Sequence, residues 1–190
     1  TSHFMMELYT VTIGFLTLQQ ISARRFAGPY EVKFKSFSMC NDLGNSSTMM
    51  VYSTKAPKLN HTHNSYTSNL TLPYGWGDHI AVKIDVSVWG NGGWRPNFLN
   101  IYTEHACSSG KKMFPGFGES FFAAAGYNFT SCPVPPGVYQ VKNWIFELKL
   151  GMKDFPYGRY QFMTTGYITE NKTERMIACI KAELDVVPTS

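Results

Sequence analysis

The residue nearest to a catalytic arrangement is Ser120, in Gly118-Glu119-Ser120-Phe121-Phe122. A serine hydrolase on an α/β scaffold needs Gly-x-Ser-x-Gly on a strand-to-helix elbow, because the sharp turn exposes the nucleophile beside its oxyanion donors. Here the second glycine is missing and no convincing strand precedes the serine. His61 and His63 would chelate a metal only if two further ligands approached. In the polar run Asn60-His-Thr-His-Asn64 they read as solvated. His79 and His105 flank expected strands and read as surface or hydrogen-bonded residues. Glu147, Asp154 and Asp185 fall on different expected elements, so nothing pairs two carboxylates for acid–base work. The sequence has no P-loop, no His-Glu-x-x-His and no dinucleotide fingerprint. The chain is therefore expected not to be an enzyme, and to carry no catalytic residue, cofactor or metal.

Apolar chemistry is better represented. Met113-Phe114-Pro115-Gly116-Phe117-Gly118, followed by Phe121-Phe122 and three alanines, lies between Cys107 and Cys132. Loops are normally polar, whereas a glycine-loosened aromatic segment tethered at both ends suits a lid or a membrane-touching lip over a pocket. The plainer reading is that these phenylalanines plug the core. Tyr74-Gly75-Trp76-Gly77 poses the same choice at another turn.

The elements that must position such a segment read as strands. Period-two alternation runs over 29–39, with Tyr30, Val32 and Phe34 on one face, and most clearly over 79–89, with Ile80, Val82, Ile84 and Val86. Residues 138–150 and 158–168 read likewise, as does 176–186, which aligns Met176, Ala178, Ile180, Ala182, Leu184 and Val186. Weaker strand patterns cover 48–54 and 65–72. Gly90-Asn91-Gly92-Gly93 and Asp154-Phe155-Pro156-Tyr157-Gly158 read as turns. Helical periodicity is confined to 118–126. The expected fold is all-β: a β-sandwich or β-cup with at most one short helix.

With 190 residues, 44% hydrophobic and only 16% charged, the chain suits one packed domain rather than disorder. Its net charge is +4, yet the densest basic clusters are the pairs Arg24-Arg25 and Lys111-Lys112. Nucleic-acid binders concentrate basic residues into a stripe, so none is expected as a partner. A mildly basic surface is compatible with transient contact with anionic membranes.

Several features point outside the cytosol. Met5 or Met6 reads as an initiator, followed by an apolar stretch over 8–18 and a cleavage-compatible Ala23. Residues 1–23 are thus expected to be tag residues plus a signal peptide, and 24–190 a single domain. The competing reading is a short strand, since Tyr9, Val11, Ile13 and Phe15 alternate with polar or small residues. Five glycosylation sequons start at Asn45, Asn60, Asn69, Asn128 and Asn171. Four widely spaced cysteines, Cys40, Cys107, Cys132 and Cys179, form no Cys-x-x-Cys. In an oxidising compartment they make two disulfides, with three connectivities open.

Cys132-Pro-Val-Pro-Pro-Gly137-Val-Tyr139 resembles the Cys-Pro-x-x-x-Gly-x-Tyr element of the GM2-activator-like lipid-binding proteins, within the MD-2-related lipid-recognition (ML) superfamily. Phe155-Pro-Tyr-Gly158-Arg-Tyr160 and Ala178-Cys179-Ile180-Lys181-Ala182 look like that family's Gly-x-Tyr and closing Cys-Ile-Lys strands. The four-cysteine layout is closer to the arthropod branch, which includes secreted, chemosensory-type relatives. The resemblance implies a β-cup with a large apolar cavity and the bridges Cys40–Cys179 and Cys107–Cys132. It also implies a secreted protein holding a lipid, fatty acid or hydrocarbon-like ligand, in chemosensation or lipid transport. The expected cavity lining is Val82, Ile84, Val86, Trp144, Phe146, Tyr160 and Phe162, with Phe114, Phe117, Phe121 and Phe122 as a rim. Two rival readings stay open: a secreted adhesion or recognition module with a filled core, and a lysosomal activator presenting glycolipid to a glycosidase.

Overall fold

The computed structural model describes residues 27–40, 51–54 (backbone only) and 65–189. The stretch read as a signal peptide, the residues Asn45, Asn60, His61 and His63, and the start of the 48–54 strand lie outside them. The described chain runs β1 (Ala27–Gly28), β2 (Tyr30–Met39), β3 (Val51–Thr54), β4 (Ser65–Leu72), β5 (Ala81–Gly90), β6 (Gly93–Thr103), α1 (Ala106–Met113), α2 (Phe117–Ala123), β7 (Gly137–Ile145), β8 (Phe155–Pro156), β9 (Gly158–Glu170) and β10 (Thr173–Pro188). Antiparallel pairing gives a five-stranded sheet in the order β2-β10-β9-β5-β6, a three-stranded sheet β3-β4-β7 and the short pair β1-β8. The two larger sheets meet over an apolar interior: Phe34 of β2 stands edge-on to Tyr66 of β4, ring centroids 4.9 Å apart. This is the all-β sandwich or cup read from the alternation.

Local chemistry explains the joints. Gly90 pairs with Gly93, and both residues between them, Asn91 and Gly92, have positive φ (50° and 83°). That is the two-residue hairpin geometry whose twist matches its strands, and Asn-Gly is its preferred sequence. The β9–β10 hairpin repeats it with Asn171 and Lys172, at φ 52° and 64°. On β5, Val82, Ile84 and Val86 are buried while Lys83 is exposed, as a pleat with one face inward requires. Fully burying such a side chain contributes about 1.5–3 kcal/mol.

Several expectations are corrected. Among the described residues there are two short helices, not at most one: α2 covers most of the expected 118–126 helix, and α1 adds another. Strand β6 was not read from the sequence. It is an edge strand, and Pro96 falls where its pairing with β5 is interrupted, between Val88↔Arg95 and Val86↔Leu99. The 138–150 strand stops at Ile145, although Leu148 and Leu150 continue inward. Phe155 is not at a solvent turn: it is 3% exposed and pairs through β8 with β1. In β10 the single face breaks, because Ile177 has no partner between Met176↔Tyr167 and Ala178↔Gly166. This bulge turns Met176 outward and Ile177 inward.

Both expected disulfides are present. Cys40–Cys179 ties the end of β2 to β10, and Cys107–Cys132 ties α1 to the segment before β7. Around the second bridge, Leu70, Leu72, Phe122, Phe129, Val134 and Ala178 form a cluster of their own. It joins the helices to both sheets.

Candidate functional site

A cavity of about 330 Å³ lies between the two larger sheets and under the two helices. That is at the lower end of the range that holds drug-sized ligands, roughly 300–1,000 Å³. Its walls come from most of the fold. Val82 and Ile84 of β5, Phe162 of β9, and Ile180, Ala182 and Leu184 of β10 form the five-stranded wall. Leu70 and Leu72 of β4 and Trp144 of β7 form the other, extended by Phe146 and Leu148.

Irregularities in the backbone help shape the lining. Leu184 pairs with Phe34 and Glu183 with Ser36, so Lys35 is an extra residue in β2. This bulge lets Phe34 and Phe37, three apart, both face the cavity, while Lys35 points out to Asp185 at 2.8 Å. The helix α1 starts with no side-chain cap of its own. Instead Asp78 accepts the Ser108 N–H at 2.8 Å, and Ala106 N–H donates to the Ile80 carbonyl at 3.0 Å. Hydrogen bonding from Ser108 holds the Asp78 carboxyl below its usual value. The negative charge suits the positive end of the helix.

The helix α2 begins after Gly116, whose φ of 80° suits a residue without Cβ. A Cβ on Gly118 would come within 2.9 Å of the Phe129 ring, so close helix packing selects glycine there. Trp144 Nε1 donates to Ser120 Oγ at 3.2 Å, and that hydroxyl donates to the Phe117 carbonyl at 3.0 Å. Ser120 therefore fastens α2 to β7. Phe117 lies 5.3 Å from Trp144 and 6.0 Å from Phe146, and Phe121 lies 5.1 Å from Trp144, largely edge to face. Such pairs contribute about 0.5–1.5 kcal/mol beyond their burial.

Of the expected lining, the structure brings together Val82, Ile84, Trp144, Phe146 and Phe162 with Phe114, Phe117, Phe121 and Phe122 around this one cavity. Val86 and Tyr160 are not part of it. Both lie further along the same sheet face, 0% and 1% exposed, in the core cluster that holds Phe155 and Val186. Burial there pushes the Tyr160 phenol up, and its hydroxyl donates to the Pro156 carbonyl at 2.9 Å. Sequence reading missed Phe37, Leu72 and Ala182 as lining residues. Alternation put Ala182 on an inward face without showing that it borders empty space, whereas Phe37 falls on the outward face by alternation and is turned inward by the β2 bulge.

The lining is nearly all hydrocarbon. Among the described residues its one formally charged side chain is Lys111, whose ammonium donates to the Thr130 carbonyl at 2.9 Å, pairs with Glu119 at 3.2 Å and sits 4.9 Å from the Phe129 ring centre. Elsewhere, His79 Nε2 lies 3.0 Å from the Tyr74 carbonyl, and His105 is exposed at the start of α1. Asn69, Asn128 and Asn171 are exposed; Asn69 is on a strand rather than in a turn. Among the described residues no group of three His, Cys, Asp or Glu could hold a metal, and no helix is long and apolar enough to cross a membrane.

No protein-family model and no curated protein sequence matches the chain. Among solved structures it is similar to chicken MD-1 complexed with lipid IVa, at 12% identity and a TM-score of 0.32, over 82% of this chain and 97% of that one.

Proposed function

We propose that this protein is a secreted, non-enzymatic carrier that holds a lipid-like molecule between its two sheets. The observation that carries this reading is the roughly 330 Å³ apolar cavity inside a domain that is otherwise well packed. Protein interiors close at crystal-like density, and a hole of this size deprives its lining of contacts that a ligand would restore. Burying an acyl chain contributes about 0.8 kcal/mol per CH₂, so a chain of moderate length binds without a charged contact. An adhesion module with a filled core has no use for such a space.

Secretion is supported by the pairing of all four cysteines and by the exposure of the three described sequon asparagines. The likeness of residues 132–187 to GM2-activator-like proteins favours the same reading. Within it, the four-cysteine layout favours the arthropod branch and a role in chemosensation or lipid transport. A carrier without catalysis is supported by the structural duties of Ser120 and His79. The phenylalanines of α2 and the preceding turn form its rim, where transient membrane contact would load the ligand.

Native mass spectrometry of protein secreted from eukaryotic cells tests the reading. The expected result is a mass excess that denaturation releases as lipid. A clean apo mass, together with no uptake of a fluorescent lipid analogue, would end it.

A further inference from the structure

The few polar groups in the lining decide what a ligand can carry besides its chain. We infer that the cavity selects uncharged lipids whose polar function is a neutral oxygen (alcohols, esters, aldehydes or sterol-like molecules) and rejects ionised fatty acids and phospholipids. This rests on the ligand-binding reading above and narrows it. Among the described lining residues Lys111 alone could neutralise an anion, and it is already engaged. Its ammonium has three donors; one goes to Glu119, one to the Thr130 carbonyl, and the Phe129 ring lies beside it. A carboxylate recruiting Lys111 would have to displace Glu119 or lie beside it, like charge against like.

The other polar lining groups are neutral. Thr103 Oγ1 is taken up by Ser109 Oγ at 2.8 Å and the His105 N–H at 3.0 Å. The hydroxyls of Ser68 on β4 and Thr164 on β9, on opposite walls, have no hydrogen-bond partner among the described residues. A hydroxyl can both donate and accept, which suits an ester carbonyl or an alcohol. No carboxylate is among the described lining residues, so an amine head finds no counter-charge among them either. An ionised head among apolar walls is so unfavourable that the group neutralises instead.

A fatty acid should then bind only in its protonated form. Its carboxyl pKa would be raised on binding, so its affinity is full below the free value, roughly 4 to 5, and falls as pH rises above it. An alcohol of the same chain length has no such dependence. The test is displacement of the neutral fluorophore N-phenyl-1-naphthylamine by dodecanol and by dodecanoate, at pH 7.5 and at pH 5. The expected result is that dodecanol displaces at concentrations at least about tenfold lower at pH 7.5, with the gap shrinking at pH 5 because dodecanoate improves. Equal displacement at both pH values would place the charge outside the cavity, overturning this inference while leaving the ligand-binding reading intact. Preference for dodecanoate at pH 7.5, abolished by Lys111→Met, would also overturn it by showing that Lys111 leaves Glu119 for the ligand. Failure of the fluorophore and both lipids to bind would take down the ligand-binding reading itself.

Discussion

Replacing Ala182 by phenylalanine separates a hollow from a packed interior more sharply than any truncation. Ala182 sits on β10 in register with Phe162 of β9 and Phe37 of β2, and all three side chains line the cavity. A phenyl group added there enters empty space instead of displacing neighbours. Filling a cavity commonly stabilises by about 0.5–2 kcal/mol. The same ring occupies the room of about four methylenes of ligand, and at ~0.8 kcal/mol each the loss is about 3 kcal/mol, over 100-fold in Kd. The signature is therefore two effects of opposite sign: a higher urea midpoint at unchanged slope, and much weaker displacement of a bound fluorophore. Val86→Phe, on the same sheet face but fully buried between Leu99 and Phe162, is the control. Overpacking there should destabilise by about 1–3 kcal/mol. If Ala182→Phe destabilises as Val86→Phe does, the interior is filled and the reasoning fails. If it stabilises but leaves ligand affinity unchanged, the ligand binds elsewhere.

Two further outcomes follow from the supports of the rim. Replacing both Cys107 and Cys132 by alanine opens a loop of 25 residues and should lower unfolding free energy by about 3.5 kcal/mol in the chain-entropy model, measured by urea unfolding. Asp78→Ala removes the borrowed cap of α1 and should destabilise by about 0.5–1 kcal/mol near neutral pH. Because the folded Asp78 carboxyl lies below its ordinary value, this contribution is complete above the unfolded value near 3.9 and is lost as pH falls through the folded one. Thermal unfolding of wild type and variant should therefore differ at pH 6 and converge in strong acid.

The strands were legible where one face is buried and the pleat is regular: the 65–72 strand matches β4 at both ends. What defeated local reading was non-local. The edge position and the break in pairing that accommodate Pro96 in β6 depend on strand order and on β5, which no window of sequence around Pro96 contains. The cap that lets Ala-Cys-Ser-Ser-Gly begin a helix comes from Asp78, 30 residues upstream of Ser108. The bulge at Ile177 reverses the inside and outside of Met176 without any glycine or proline to announce it. For the cavity, alternation marked the inward face of β5 correctly, including both Ile84 and Val86. Whether an inward side chain meets a partner or a void depends on the opposite wall. At Val86 and Tyr160 the space is closed, with the Phe155 ring 5.2 Å from Tyr160; Ile84 borders the cavity.

The order of strands also sets a timetable. The strand β2 is one of the first described elements of the chain, yet among the described strands of its sheet it hydrogen-bonds to β10 alone, and Cys40 must wait for Cys179, 139 residues later. At translation rates of about 5–20 residues per second, roughly 7 to 28 s separate their synthesis. Throughout that interval a strand bearing Tyr30, Val32, Phe34 and Phe37 has neither its ladder nor its bridge. Chaperone attention during biogenesis should therefore fall on the first half of the chain, and truncations lacking β10 should aggregate through β2 rather than fold in part.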